Sequence, residues 1–148
     1  MQAKLLSQSG DQRIFAVVLS TGDEVMQCLQ RFVIENKVHG AQLRAIGAFS
    51  EVDLGYFDWQ SKDYITNHFH EQVEVAALLG DVAIAPDGRP ALHIHCVLGR
   101  RDGMALAGHL LRARVRPTLE VVLQDTPAHL RKRTDAESGL ALIDLEQS

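Results

Sequence analysis

A period of two runs through the stretch Leu92-His93-Ile94-His95-Cys96-Val97-Leu98. Every even-numbered position in it is apolar, whereas two of the odd-numbered positions are histidines. Successive side chains of a β-strand point to opposite faces of the sheet, so this pattern predicts a strand with one face toward the core. The two histidines are then expected to share the other face.

Turn signals flank this strand on both sides. Residues 86–90 combine two prolines with Gly88, which is free to adopt a positive φ, and residues 99–103 contain a second turn signal. Residues 104–112 are ambiguous or fit a short helix. A further strand is predicted over residues 119–123, and a polar loop at 134–138 precedes a last strand near 140–143.

Toward the N-terminus, a short apolar run at residues 15–19 predicts a buried strand. The sequence Thr21-Gly22-Asp23-Glu24 has the form of a capping box, in which Thr21 and Glu24 each bond the backbone N–H of the other. Apolar residues then recur at spacings of three and four, which predicts one amphipathic helix from residue 22 to about 37.

After Gly40 the period returns to two, and the apolar face changes parity near Ser50-Glu51, which predicts a β-bulge or bend there. An extended segment over residues 64–85 is expected to break at Gly80-Asp81. Many strands and one helix predict an α+β domain, in which a bent, mostly antiparallel sheet packs with the helix.

Length and composition set the broad class. The 148 residues, 46% of them hydrophobic and 23% charged, predict one globular domain spanning residues 1–148. No apolar run approaches the roughly 18–20 residues that span a bilayer, and no secretory signal is visible. Two lone cysteines, Cys28 and Cys96, fit a reducing compartment, so a cytoplasmic location without membrane contact is expected.

The formal net charge of −4 is unevenly spread. Residues 100–133 hold eight basic side chains against three acidic ones, a net of +5, while the remainder holds seven against sixteen, a net of −9. Two interpretations stay open for the basic stretch. It is either a solvated charged face or a weak DNA contact made by Arg112, Arg114 and Arg116.

The histidines carry the main chemical hypothesis. His93 and His95 lie two residues apart on the predicted strand, about 7 Å apart along the backbone, so both imidazoles can approach one ion. The turn at 99–103 can bring His109 back over the same face. Three neutral imidazoles with an open fourth position suit Zn²⁺ or a similar divalent ion. The alternative is a set of solvated or hydrogen-bonded histidines.

Three further side chains are candidates for a role in this metal site. His68 and His70 repeat the spacing of two in a polar stretch, which favours two exposed sheet histidines over membership of the site. Glu74 stands between Val73 and Val75, so its carboxylate is either exposed, a candidate general base, or placed to orient a ligand histidine.

A family resemblance rests on the combination of several motifs. The segment from Asp87 to His95 is followed by Asp102-Gly103, by Gly108-His109-Leu110 and by residues 117–121. Upstream pieces at residues 21–25, 46–48, 54–58 and 73–80 add to the pattern. Together they span roughly residues 13–145, and the chain resembles the PPC (plant and prokaryote conserved) domain family.

The resemblance implies a compact α+β domain that assembles as a homotrimer. It also implies that His93, His95 and His109 cluster, and that metal is associated with such clusters in some members. Prokaryotic members are single-domain proteins usually labelled as DNA-binding, whereas plant members join the domain to an AT-hook. Here Gly88-Arg89-Pro90 follows an acidic Asp87, so an AT-hook is not expected.

Two functions remain open at this point, beside the possibility that the histidines only line a trimer interface and make assembly pH-sensitive. The first is a homotrimeric regulatory module that reaches DNA weakly or acts through protein partners. The second is a metal-dependent enzyme or sensor that acts on a small molecule at the three histidines. No phosphate-binding loop, nucleophile elbow or His-Glu-x-x-His motif is present, so the sequence leaves enzymatic activity undecided.

Overall fold

The computed structural model describes residues 1–126 and 129–148. Within those residues the chain forms one α-helix and nine β-strands. In chain order they are β1 (Gln2–Ser9), β2 (Gln12–Ser20), α1 (Val25–Glu35), β3 (Gly40–Asp58), β4 (Asp63–Phe69), β5 (Val73–Ile84), β6 (Pro90–Gly99), β7 (Ala105–Asp125), β8 (Lys132–Thr134) and β9 (Ala141–Ile143). In the same part of the chain, no helix is long and apolar enough to cross a membrane.

All the strand pairings within the main sheet are antiparallel, as the sequence predicts. Its order is β1-β2-β7-β6-β5-β3-β4, and β3 also pairs with β7. That additional pairing closes β3, β5, β6 and β7 into a ring. The two longest strands, β3 and β7, therefore each contact strands on both of their edges.

The helix confirms the predicted amphipathic pattern, but its first turn differs from the prediction. It runs from Val25 to Glu35 and not from 22 to 37, and Glu24 is the N-cap residue. The carboxylate of Glu24 accepts hydrogen bonds from the backbone N–H groups of Met26 and Gln27. The Thr21 hydroxyl instead donates to the carbonyl of Pro117, which ties the loop before the helix to β7.

Long strands need bulges when their apolar face changes parity. The pairing of β3 with β7 shifts between Gly47 and Phe49 and again between Phe49 and Glu51, where the sequence predicts a bend. At Gly47, which has a φ of +154°, an added Cβ would lie 2.2 Å from the carbonyl oxygen of Thr118. Only glycine permits the two long strands to approach this closely.

Two expectations for individual elements are corrected. Residues 105–112 form the first part of β7 and not a helix, because residues 105–109 pair with β6 and residues from His109 onward pair with β3. Strand β5 runs through Gly80-Asp81 without a break, and the interruption lies between β4 and β5. Strand β1 is exposed along its length and pairs with β2.

Candidate metal centre

Strand β6 has two chemically different faces, as its sequence predicts. Ile94, Cys96 and Leu98 are buried in the core, while His95 and Val97 are exposed and His93 is half-buried. Burial raises the pKa of the Cys96 thiol to about 12, so this cysteine is a protonated core residue and not a metal ligand at neutral pH. The outer face of β6 therefore carries the histidines.

The hairpin of β6 and β7 brings the third histidine to the other two. The backbone N–H of Arg100 donates to the carbonyl of Met104, and beyond this turn His109 pairs directly with His95. The ring centroids of the three imidazoles lie 5.1–5.3 Å apart. One nitrogen from each ring lies within 4.8 Å of the others, and the Nε2 atoms of His93 and His95 are 3.2 Å apart.

The separation of the His93 and His95 nitrogens fits a tetrahedral ion. Two imidazoles bound to Zn²⁺ at 2.0–2.1 Å with a tetrahedral angle place their nitrogens about 3.3 Å apart. In addition, the buried Nδ1 atom of His109 has no hydrogen-bond partner among the described residues. A buried ring nitrogen without a partner is costly, and coordination of an ion would satisfy it.

A carboxylate and a lysine lie behind His93. Asp81 pairs with His93 across β5 and β6, and its Oδ2 atom is 3.3 Å from Nδ1 of His93. On the other side, Nζ of Lys132 is 3.3 Å from Oδ1 of Asp81, and the lysine side chain is only 6% exposed. Burial alone would raise the pKa of Asp81, but hydrogen bonding and the charges of His93 and Lys132 lower it overall, so the carboxylate is ionised.

An ionised Asp81 determines which nitrogen of His93 carries the proton. The carboxylate can only accept, so the Nδ1 atom of His93 must donate, and its Nε2 atom keeps a lone pair directed toward the other histidines. Sequence reasoning missed both Asp81 and Lys132. The signal for Asp81 was a charged residue in an otherwise apolar strand, but only the register of β5 against β6 places it beside His93.

An aromatic ring covers His109. Tyr64 from β4 stacks on its imidazole with centroids 4.7 Å apart and an interplanar angle of 28°. Gly55 of β3, which pairs with His109, makes room for this ring, because an added Cβ would lie 2.7 Å from Cδ1 of Tyr64. Phe57 packs on the same tyrosine at 5.4 Å. These contacts hold the His109 ring in place.

Burial also determines the protonation of the cluster. It lowers the pKa of His109 to about 4, and the positive charges of His93, His95 and Lys132 act in the same direction. Burial lowers the pKa of His95 as well, with a further contribution from His93. Both rings are therefore neutral at pH 7, which is the form that binds a metal ion.

The remaining predicted site residues lie elsewhere. Glu74 is exposed and pairs with Gly99, whereas Asp81 pairs with His93, so seven residues of β5, roughly 23 Å of strand, separate Glu74 from that position. Asp81, not Glu74, occupies the place of a carboxylate that orients His93. His68 and His70 are exposed and face Asp53 and Glu51 at 2.8 and 3.9 Å, apart from the three-histidine cluster.

The three arginines of the basic stretch are engaged with the protein itself. Arg112 and Arg114 both contact the Glu51 carboxylate, at 3.4 and 3.2 Å. Arg114 also donates to the carbonyl of Gly22, and Arg116 donates to the side-chain oxygen of Gln72 at 2.8 Å. Internal pairing thus reduces the positive charge that this stretch offers to a phosphate backbone.

Solved structures similar to this chain come from bacteria and archaea. A candidate DNA-binding protein from Bacteroides thetaiotaomicron is 29% identical with a TM-score of 0.84, and the match covers 95% of this chain and 96% of that one. A metal-containing protein from Archaeoglobus fulgidus is 30% identical with a TM-score of 0.81, covering 97% of this chain and 99% of that one. A plant- and prokaryote-conserved (PPC) protein from Pyrococcus horikoshii is 25% identical with a TM-score of 0.83, covering 93% and 97%.

No curated protein matches this chain at a significant level. The family comparison is decisive, because the profile of the Plants and Prokaryotes Conserved (PCC) domain matches residues 6–127, most of the chain. The match includes all three clustered histidines and confirms the family that the motifs indicate under the name PPC. This chain belongs to the Plants and Prokaryotes Conserved domain family.

Proposed function

We propose that this chain binds a divalent transition metal, with zinc the best match, through His93, His95 and His109, and that it does so as a homotrimeric module. The observation that carries the proposal is the convergence of three imidazole nitrogens within 4.8 Å on one face of the sheet. The similarity to a metal-containing protein from Archaeoglobus fulgidus supports it.

The chemistry of the donor set favours zinc over a hard cation. Imidazole nitrogens suit Zn²⁺ and its neighbours, whereas Mg²⁺ and Ca²⁺ prefer oxygen ligands. A zinc ion with three protein ligands supplies a Lewis acid and lowers the pKa of a bound water to near neutrality. The chain itself orients the histidine rings. Asp81 holds the proton on Nδ1 of His93, and Tyr64 covers the ring of His109.

Metal analysis of protein purified without a His-tag tests this proposal. We expect about one zinc per chain for the wild type and below about 0.2 for His109→Ala after equilibration with Zn²⁺. The matched control is His68→Ala, which removes an exposed histidine outside the cluster and should leave the metal content unchanged. A wild type that takes up no Zn²⁺, or an equal loss in both variants, would contradict a three-histidine site.

A second candidate function is that of a metal-dependent enzyme or sensor for a small molecule. The exposure of His95 in the single chain favours it, because a ligand can reach the cluster wherever a second copy of the chain does not cover it. Binding of a small anion such as acetate or azide to the Co²⁺-substituted protein, followed in the visible spectrum, measures whether a coordination position is open. An unchanged spectrum would favour a structural metal.

Direct DNA binding is proposed only as a weak property. Similar proteins are described as candidate DNA-binding proteins, but the guanidinium groups of Arg112, Arg114 and Arg116 already have partners within this chain. We expect duplex binding that is measurable only at low salt. Changing all three arginines to glutamate should abolish it, and an unchanged affinity would exclude this surface.

Trimer formation has support from the outer face of the sheet. Ile46 on β3, Leu79 on β5 and Val97 on β6 are 61%, 61% and 41% exposed there, and Leu79 pairs with His95. Apolar side chains grouped on one sheet face commonly mark a protein interface. We therefore propose this face as the surface that a second copy of the chain covers, whereas the arginine-bearing part of β7 remains available to other partners.

A further inference from the structure

Lys132 is the least exposed charged group near the three histidines. Its side chain is 6% exposed, and its ammonium group lies 3.3 Å from Oδ1 of Asp81. Lysine is almost never buried unless it is paired, so Asp81 accounts for its position. The lysine belongs to the segment that follows the family match at residues 6–127.

Backbone contacts bring Lys132 to this place. The carbonyl of Leu130 accepts from the N–H of Ile84 at 2.7 Å, and Arg131 forms a parallel bridge with the same residue. The segment therefore lies along the end of β5, three residues beyond Asp81. It continues into β8, which pairs with β9.

The carboxylate of Asp81 thus lies between the ammonium group of Lys132 and the ring of His93. Its Oδ1 atom faces the lysine ammonium and its Oδ2 atom faces Nδ1 of His93, both at 3.3 Å. A divalent ion held by the histidines would be partly balanced by the same carboxylate through the His93 ring. Lys132 and such an ion carry like charges, and burial leaves their repulsion poorly screened.

We propose that Lys132 is the resident counter-charge of Asp81 and that it opposes cation binding at His93, His95 and His109. This inference rests on the proposed metal site. Coupling between two binding events is reciprocal, so an ion in the site also weakens the docking of the segment that carries Lys132. The segment that carries Lys132 then limits metal loading, and its own docking weakens when the site is loaded.

The affinity for Zn²⁺, measured by competition with a chromophoric chelator, tests the sign of the coupling. We expect Lys132→Met to bind Zn²⁺ about tenfold more tightly than the wild type, because the variant lacks a buried like charge. The matched control is Arg133→Met, which removes the next cation in the chain. Arg133 is 71% exposed and pairs with Asp144, so its loss should change the affinity less than about twofold.

Lys132→Met leaves Asp81 without its partner and can therefore fail to fold. A second pair of variants tests the coupling in that case. Asp81→Asn and the double variant Asp81→Asn/Lys132→Met contain no uncompensated carboxylate. We expect the double variant to bind Zn²⁺ several-fold more tightly than Asp81→Asn alone. Equal or weaker binding after removal of the lysine, in either background, would overturn the inference.

Hydrogen exchange supplies a readout on the segment itself. Addition of Zn²⁺ to the wild type should increase amide exchange in residues 130–134, and the increase should be absent in Lys132→Met. Unchanged or slower exchange would overturn the coupling. If neither the wild type nor Lys132→Met binds Zn²⁺, the proposed metal site itself fails; Zn²⁺ binding without any effect of Lys132 refutes this inference alone.

Discussion

At His109, burial and neighbouring charge act in the same direction, and the ring is neutral over most of the pH range. Its pKa falls from an ordinary value of 6.5 to about 4 in the folded protein. Below about pH 6.5 the unfolded chain binds a proton that the folded chain does not bind. The stability contributed by the neutral ring is therefore complete above that pH and declines as the pH falls toward 4.

This titration predicts a pH-dependent stability of the metal-free protein. Between pH 7 and pH 5 the free energy of unfolding should fall by about 2 kcal/mol through His109 alone. Urea unfolding of wild type and His109→Gln at both pH values isolates that contribution, because the variant should lose it. In His68→Gln, which removes an exposed histidine, the free energy of unfolding should depend on pH as in the wild type. A wild-type free energy of unfolding that does not change between pH 7 and pH 5 would contradict the lowered pKa of His109.

Gly55 makes a second prediction at the scale of one residue. In Gly55→Ala the new methyl group would lie 2.7 Å from Cδ1 of Tyr64, so the tyrosine must leave its stacked position on His109. We expect a loss of about 1–3 kcal/mol in stability, as for other overpacked sites, together with an NMR shift of the His109 ring protons.

Gly99→Ala is the matched control for this substitution. It also lies in a strand, but its added Cβ would contact Glu74 at an ordinary 3.9 Å. Its free energy of unfolding should stay within about 0.5 kcal/mol of the wild type. Equal effects of the two substitutions would show that the loss arises from glycine replacement in general and not from Tyr64.

At the scale of the element, the N-terminus of α1 depends on one carboxylate. Glu24 accepts from Met26 and Gln27 in the helix and from the N–H of Ala113 in β7. It therefore caps the helix and joins it to the sheet. We expect Glu24→Ala to cost about 1–2 kcal/mol in urea unfolding, because three backbone donors lose their acceptor.

Thr21 provides the comparison, since the capping-box pattern assigns it the same role. Its hydroxyl makes one exposed hydrogen bond to Pro117, so Thr21→Ala should cost about 0.5 kcal/mol or less. A larger loss of stability for Thr21→Ala than for Glu24→Ala would show that Thr21 caps the helix, as the capping-box pattern predicts. The sequence pattern could not distinguish the two residues, because both are good acceptors and β7 supplies the third donor from far along the chain.

Strand β7 shows why one element could not be predicted. Residues 104–112 have no clear period, and local preference leaves them ambiguous. In the structure residues 105–109 pair with β6 and the strand from His109 onward pairs with β3, so ladder hydrogen bonds to two strands override local preference. The strand at residues 92–98 was predictable because its alternation is complete within seven residues.

At the scale of the whole molecule, the exposed apolar side chains on the outer face of the sheet predict that copies of the chain associate. Leu79 pairs with His95 and is 61% exposed, which places it at the centre of the proposed interface. Leu79→Asp should convert the proposed trimer to monomer in sedimentation experiments, because three buried and unpaired carboxylates would oppose association. A trimer that persists in this variant would place the interface elsewhere.

Ile34 offers a matched control on another surface. It is 53% exposed on α1, so Ile34→Asp introduces the same charge away from this sheet face. Its sedimentation should match that of the wild type. Dissociation in both variants would indicate general destabilisation, which thermal unfolding of each variant can measure.

The sequence by itself determined the elements whose signals are local. The alternation around His93 and His95, the amphipathic pattern of α1 and the bend near Ser50 each need only neighbouring residues, because backbone geometry converts spacing into a shared face. Tertiary structure alone decided what surrounds the histidines. Asp81, Lys132 and Tyr64 come from separate strands, and only the register between strands, which depends on long-range packing, brings them to the cluster.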